Sequence, residues 1–372
     1  MTDVVIINCF DTYEHRVELL KECFSEQGKG VEVITSDWRH FQKAVREDCP
    51  DGYTMIHAKP YYKNLSVSRL RSHYQFAKDA LAEVEKRDPR LMWILVPPNA
   101  LVKFAERYKK KHPETKMVLD FIDMWPETMP ISKFKKYPPF SFWKNLRDKH
   151  LQFADAVVTE CAFYHTLLEK YYPAEKIHTL YLARHITPVE LGCNVPENRI
   201  ALCYLGSINN IIDIPCIGEI IKAIDADVDL HIIGDGEKRQ QLLETAQAAG
   251  ANVIFHGKVY DVNRKKEILD QCHFGLNIMK PSVFVGLTMK SMDYFEYGLP
   301  LINNIAGDTW DFVEQNTIGI NYSPSSQLDV QQLQQVARNR QNVRQFFEDC
   351  FSYEAFSRRV KNVVSDLENR GY

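Results

Sequence analysis

Short apolar runs alternate with helix-length amphipathic stretches along almost the whole of the 372-residue chain. That alternation constrains the fold more than any other feature. Strand-sized runs separated by amphipathic helices make parallel sheets with helices on their faces. In the first half the reading is Val4–Cys9 strand, Glu14–Gln27 helix, Val31–Thr35 strand, then a long polar region to about Pro60. It continues with Ser66–Arg87 helix, Leu91–Val96 strand, Ala100–Lys111 helix, Met117–Phe121 strand, Leu146–Phe153 helix, Ala156–Thr159 strand and Ala162–Tyr172 helix. After Ile177–Leu182 the period lapses through Ala183–Asn198, which contains two prolines and reads as a linker. It restarts with strands at Ile200–Leu205, Val228–Ile233, Val253–Phe255, Gly275–Ile278 and Leu301–Asn304. Helices are expected between them at Pro215–Ala223, Glu237–Ala249, Lys265–Cys272 and Met289–Tyr297. The Tyr353–Glu368 stretch has helical spacing and no strand after it. Two α/β units imply a cleft between them, with ligands at the carboxyl ends of the strands.

Composition narrows the class. Lys+Arg 46 against Asp+Glu 49 leaves a net charge of −3, so a general nucleic-acid footprint is excluded. No apolar run approaches the ~20 residues that cross a bilayer. Met1–Phe10 carries Asp3 inside a strand-like run and is not read as a signal peptide. The nine cysteines are scattered and show no Cys-x-x-Cys pair, as expected of a reducing compartment.

Several chemistries lack their motifs. Val4–Cys9 runs into Phe10-Asp11-Thr12-Tyr13 without the glycines of a dinucleotide site, and Gly234-Asp235-Gly236 is followed by Arg239 where a third glycine belongs. There is no Walker A loop, no Gly-x-Ser-x-Gly elbow and no His-Glu-x-x-His pair. Asp225-Ala-Asp227-Val-Asp229 precedes a strand rather than following one, and reads as a solvated turn rather than a metal site. No metal and no cofactor is expected.

The most specific segment is Lys280–Pro300, KPSVFVGLTMKSMDYFEYGLP. Thr288 can cap a helix, Gly298 can end it, and Lys290 and Asp293 share one face of its first turns. Loop amides, the positive end of the helix dipole and a lysine make a diphosphate site, and an acid one turn on suits ribose hydroxyls. Before it come Tyr204-Leu-Gly-Ser207, His231-Ile-Ile-Gly-Asp-Gly-Glu237 and Phe255-His-Gly-Lys-Val259, each a strand entering a glycine turn.

In this order the second half, from about Ile200 to Gly319, resembles the nucleotide-sugar domain of retaining GT-B glycosyltransferases of family four. In the first half, Leu119-Asp-Phe-Ile-Asp123-Met-Trp-Pro-Glu127 is similar to a segment of the branch that builds bacterial surface polysaccharides and O-antigens. Phe351-Ser-Tyr353 is similar to the family's closing segment. The resemblance implies an α/β GT-B fold of two Rossmann-like domains facing each other across a cleft. The expected boundaries are 1–185 for the acceptor domain, 186–350 for the nucleotide-sugar domain, and 351–372 for a helix packing back on the first.

Carried over, Lys290 neutralises the donor diphosphate and Asp293 holds the ribose. Gly286, Leu287 and Thr288 offer donors to sugar or phosphate, Ser207 and Asn209 border the diphosphate, and Gly257 and Val259 flank the base. Asp123, Glu127 and Arg16 fall on the acceptor side, with Lys290 and Asp123 expected to be catalytic. The implied reaction is hexosyl transfer with retention, from a nucleotide diphosphate sugar to a saccharide or lipid-linked saccharide in surface glycan synthesis. The leaving phosphate itself accepts the acceptor's proton. The chain departs from the pattern in three places: Val285 stands where the first of two paired acids belongs, Ile122 replaces Arg or His, and the strand after Tyr204 lacks an Arg/Lys pair. Its residues there are Ser207, Asn209 and Asn210, with Asp213 beyond, and Arg16 and Arg184 are the candidate substitutes. These losses motivate an alternative, a non-catalytic GT-B subunit that stabilises a partner transferase. A nucleotide-sugar epimerase of the same fold is a third reading, for which the sequence supplies no set of acid/base groups. Finally, Lys133–Lys149 interleaves basic residues with Phe134, Tyr137, Phe140, Phe142 and Trp143. It reads equally as an inward-packed loop or as a peripheral contact with the cytoplasmic membrane face.

Overall fold

The computed structural model describes residues 2–63, 66–129, 138, 140–188, 190–192, 194–324 and 326–369. The chain divides into two units: unit 1 is Met1–Arg184 with Tyr353–Tyr372, and unit 2 is His185–Ser352.

Unit 1 contains strands β1 (Val4–Asn8), β2 (Val31–Ser36), β3 (Trp38–Arg39), β4 (Ala44–Val45), β5 (Tyr53–Ile56), β6 (Leu91–Val96), β7 (Lys116–Phe121), β8 (Ala156–Thr159) and β9 (Ile177–Thr179). Seven of them form one parallel sheet in the order β5-β2-β1-β6-β7-β8-β9, and β3 and β4 pair as a small antiparallel ribbon. The central strands are buried throughout, because helices cover both faces, and this is why they read as unbroken apolar runs rather than alternating ones. The chain order reverses at β1/β6, where Val4 pairs with Val31 on one side and Leu91 on the other.

Unit 2 contains β10 (Arg199–Leu205), β11 (Asp227–Ile233), β12 (Asn252–Gly257), β13 (Phe274–Asn277), β14 (Leu301–Asn303) and β15 (Gly319–Asn321), all parallel, in the order β12-β11-β10-β13-β14-β15. Its core gathers Leu202 and Tyr204 of β10, Leu230 and Ile232 of β11, and the isoleucine-rich Ile214–Ala223 helix.

After Ser352 the chain returns to unit 1. The N–H of Tyr353 bonds the carbonyl of Arg184, and the Tyr353–Asn369 helix packs on the Glu14–Glu26 helix. Its buried stripe, Phe356, Val360, Val363 and Leu367, follows helical spacing, each side chain worth about 1.5–3 kcal/mol of burial.

The expected elements appear with shifted ends, and four differences have physical causes. Ala162–Tyr172 is not one helix: a 3-10 turn at Ala162–Tyr164 leads into the single turn His165–Leu168. The Tyr171 and Tyr172 N–H groups both bond the Leu168 carbonyl in a closing turn, and Pro173 disfavours helical backbone at Tyr172. The helix expected at Leu146–Phe153 lies at Phe140–Asp148, because Trp143, Leu146 and Arg147 form its buried face. Within the polar region before Pro60, β5 is a half-exposed edge strand without the apolar run that signals a buried one. Across 305–352, where the sequence pattern predicts no element, the structure holds helices at Asp308–Asn316, Val330–Ala337 and Arg340–Phe351, together with the short, half-buried β15.

Candidate functional site

The carboxyl edge of the unit 2 sheet is built by backbone packing. A Cβ on Gly234 would lie 1.9 Å from the Gly206 carbonyl oxygen, and one on Gly236 would lie 2.2 Å from that of Ile208. Only glycine lets the turn after β11 press on the turn after β10. Four N–H donors tie the turns together: Gly206 to Ile233 at 2.9 Å, Ile208 to Asp235 at 3.0 Å, Lys238 to Ile208 at 3.0 Å, and Gly234 to Gly257 at 2.7 Å. The Gly-x-Gly pair therefore serves loop–loop contact, the close approach that a β-carbon forbids.

The Met289–Glu296 helix is locked onto this edge. Tyr294 donates its hydroxyl to the Cys203 carbonyl (3.0 Å) and accepts from the Leu205 N–H (2.7 Å). Its ring lies where a Cβ on Gly275 would be 2.5 Å away, so Gly275 on β13 makes room for it. Thr288 caps the helix in a capping box with Ser291. The Thr288 hydroxyl also donates to Asn277 Oδ1 at 2.8 Å. From Asn277 an amide ladder crosses three strand ends, Asn277 to Asn303 and Asn303 to Asn321, each at 2.9 Å. Meanwhile the Gly286 carbonyl receives both the N–H and the hydroxyl of Thr309, at 2.9 and 2.8 Å. The loop Phe284–Leu287 is thus held between the starts of two helices.

Lys290 stands in the first turn of that helix, half-buried, with Nζ 4.8 Å from the centre of the Tyr204 ring. Tyr204 in turn donates to the Ser207 carbonyl at 2.8 Å. Burial lowers the Lys290 ammonium from the ordinary 10.5 to about 8. The charge is desolvated and lies near the positive end of a helix, an arrangement that an anionic ligand would relieve. Asp293 is half-buried one turn further on. The structure therefore brings Lys290, Ser207, Gly286, Leu287, Thr288 and Asp293 to one edge of unit 2.

Gly257 has φ +66 and accepts from the Gly234 N–H, which ties the expected base-side turn to the same edge. Val259 is half-buried there. Asn209 Oδ1 accepts the Ile211 N–H at 3.1 Å, and the exposed Asn210 amide donates one N–H to Glu237 of the turn after β11. Asp213 caps the Ile214–Ala223 helix through the Cys216 N–H. Lys280, which the sequence reading did not single out as a site residue, donates its N–H to the Ile211 carbonyl of this loop at 3.0 Å. Its ammonium has no carboxylate partner among the described residues.

In unit 1 one expectation is corrected, that for Arg16. Arg16 is 1% exposed: Nε and Nη2 grip Asp120 at 2.8 and 2.7 Å, and Nη1 donates to the Leu180 carbonyl. It braces the core and is not at a surface that meets an acceptor. Glu127 is likewise engaged, bound by Arg147 at 2.9 Å and Lys144 at 2.8 Å. Burial pushes its carboxyl up, but these two cations outweigh burial and hold it below the ordinary value. It ties the Trp-Pro-Glu turn to the Phe140–Asp148 helix.

Asp123 is half-buried, accepts from Trp125 Nε1 at 2.5 Å and from the Thr128 hydroxyl, and is raised by burial. The sequence reading missed Glu160, the first residue past β8, whose N–H bonds the Phe121 carbonyl at the end of β7. Burial raises its carboxyl to about 7; Arg16 opposes the shift, while Asp123 and Asp120 add to it. Its position just beyond a strand's carboxyl end was the available signal. The Arg69 guanidinium, also missed, is buried 4.6 Å from the Trp125 ring centre and 5.7 Å from those of Phe10 and Tyr61. Of Lys133–Lys149, residues 133–137 and 139 lie outside the described residues.

Comparison with known proteins follows the same division. Residues 199–336, most of unit 2, match the family model described as Glycosyl transferases group 1. No curated protein matches the sequence. Among solved structures the chain is similar to the lipopolysaccharide outer core galactosyltransferase WaaB in its apo form, at 13% identity and TM-score 0.69, over 98% of this chain and 99% of that one. It is also similar to Anabaena HepE in complex with UDP, at 11% identity and TM-score 0.66, over 98% and 100%. A third is AviGT4, a glycosyltransferase involved in avilamycin A biosynthesis, at 11% identity and TM-score 0.56, over 100% and 99%. These likenesses extend over the full length, and the two α/β units have the GT-B fold.

Proposed function

We propose that this chain is a glycosyltransferase that moves a hexose, with retention, from a nucleotide diphosphate sugar to a saccharide or lipid-linked saccharide acceptor in bacterial surface glycan synthesis. One observation carries the reading: a desolvated Lys290 against Tyr204, in the first turn of a capped helix, within the segment that matches the glycosyltransferase model. HepE, whose fold this chain shares, is described in complex with UDP and with UDP-glucose.

In the proposed reaction Lys290 and the amides of Gly286 and Leu287 hold the diphosphate, and Asp293 holds the ribose. The anomeric C–O bond to the diphosphate breaks with its electron pair going to the leaving phosphate. The acceptor hydroxyl bonds to the same face of the anomeric carbon, and its proton passes to that phosphate oxygen. Positive charge aimed where negative charge develops lowers the barrier. Lys280 supplies a second cation at the loop that carries no Arg/Lys pair. Asp123 binds the acceptor.

A non-catalytic subunit is the competing reading, favoured by Val285 in the place of an acid and by the absence of an Arg/Lys pair after Tyr204. A thermal-shift panel of UDP-, GDP- and TDP-sugars, with hydrolysis of each followed in parallel, separates the two. One donor is expected to stabilise the protein by about 2.7 kcal/mol at one hundred times its dissociation constant and to hydrolyse slowly. No shift with any nucleotide would move the assignment to the subunit.

A further inference from the structure

Two neighbouring helices of unit 1 carry a basic and aromatic face that the donor chemistry does not use. On the Val67–Val84 helix the exposed residues Val67, Arg71, Tyr74 and Lys78 fall at i, i+4, i+7 and i+11, one stripe of the surface. On the adjacent Ala100–Lys111 helix, Lys103 and Arg107 follow the same rule. The two stripes meet: the Tyr74 and Phe104 rings are 5.0 Å apart, and Lys103 Nζ lies 5.5 Å from the Tyr74 ring centre. Arg107 lies over Phe104 at 5.2 Å. Phe142 of the Phe140–Asp148 helix closes one end, lining a small apolar hollow with Leu70, Tyr74 and Trp143. Val67 is 62% exposed, Tyr74 37% and Phe142 61%.

The charges on this face are not balanced locally. Among the described residues Arg71, Lys78, Lys103 and Arg107 have no carboxylate within ion-pair distance. The acids of the same helices are engaged elsewhere: Asp79 with Gln75, Glu83 with Lys86 and Arg87, and Glu106 with Lys110 and His150. A chain of net charge −3 therefore concentrates positive charge on one patch and interleaves it with apolar side chains.

We infer that this two-helix face docks on an anionic lipid surface. Cationic stems laid along aromatic rings keep their charges at headgroup level while Val67, Tyr74 and Phe142 reach the acyl boundary. Such docking needs only a local patch, because the surface potential of an anionic leaflet decays within about a Debye length. None of its residues belongs to the basic Lys133–Lys136 run, so the two can be tested separately. The face would hold a membrane-borne acceptor near the protein, but it stands independently of the donor-site assignment.

The test is co-sedimentation with vesicles of phosphatidylglycerol and phosphatidylcholine, against phosphatidylcholine alone. Wild-type protein is expected to bind the anionic vesicles, less as salt rises. The variant Arg71→Gln/Lys103→Gln/Arg107→Gln should bind about a hundredfold more weakly, each cation near the surface contributing about fivefold. A second variant, Tyr74→Ser/Phe142→Ser, should lose the salt-resistant part of binding. Both should melt like wild type and keep any donor-induced thermal shift. Equal binding of wild type to both vesicle types, or no binding to either, overturns the inference. So does wild-type binding by the triple variant, or loss of binding only in Lys135→Gln/Lys136→Gln.

Discussion

Replacing Lys290 with methionine should stabilise the empty protein while abolishing donor binding. The side chain keeps its length and apolar stem but loses its charge. In the folded state burial lowers the ammonium from 10.5 to about 8, equivalent to about 3 kcal/mol of destabilisation while it is protonated in both states. The group is half-buried and partly solvated, so the gain expected on removing the charge is roughly 1–3 kcal/mol, or about 2–10 °C for a unit of this size. Its pH dependence has a definite sign. The folded pKa is depressed, so below about 8 the penalty is complete; between about 8 and 10.5 the unfolded chain binds more protons than the folded one, and the penalty fades. The melting temperature of Lys290→Met should therefore exceed wild type at pH 7, and the two should converge as pH rises towards 10. Scanning fluorimetry across that range, with and without the UDP-sugar panel, reads both effects. A variant less stable than wild type at pH 7, or one still stabilised by the donor, would refute the reasoning, since the lysine would then be a structural strut and not a poised anion binder.

Other perturbations give distinct signatures. Glu160→Gln should stabilise the protein by up to about 3 kcal/mol at pH 8 and by almost nothing near pH 4.5, because a raised carboxyl destabilises the folded state progressively as pH climbs from 4.5 through about 7; equal stabilisation at both pH values would contradict its burial as a charge. Arg16→Met leaves Asp120 buried without its ion partner and should cost about 3–5 kcal/mol in urea unfolding, whereas an acceptor-binding arginine would change affinity and not stability. Gly234→Ala forces the turn after β11 off the Gly206 carbonyl, and low soluble yield or early melting of unit 2 is expected; a well-folded variant would show that the loop contact is dispensable. Lys280→Ala should weaken donor binding by up to about fivefold without altering the melting temperature of the free protein, a partly solvated ion pair being worth up to about 1 kcal/mol.

Some of this was set by the linear sequence. The apolar runs at Val4–Asn8, Leu91–Val96 and Arg199–Leu205 are strands because a parallel sheet buried on both faces needs continuous apolar residues, and that pattern survives in one dimension. Thr288, Gly298 and the helix between them were equally legible, since capping is chemistry between near neighbours. Edge strand β5 and the three-residue β15 escaped, because a half-exposed strand carries no run of apolar residues to announce it. Charge was the least legible property. Arg16, Glu127 and Lys290 are all charged residues, yet in sequence nothing distinguishes a core brace from a bound turn or a desolvated cation. Their partners, Asp120, Arg147 and Tyr204, lie 104, 20 and 86 positions away. Pairing across such separations depends on which strands lie side by side, and only the folded sheet brings a charge to its partner.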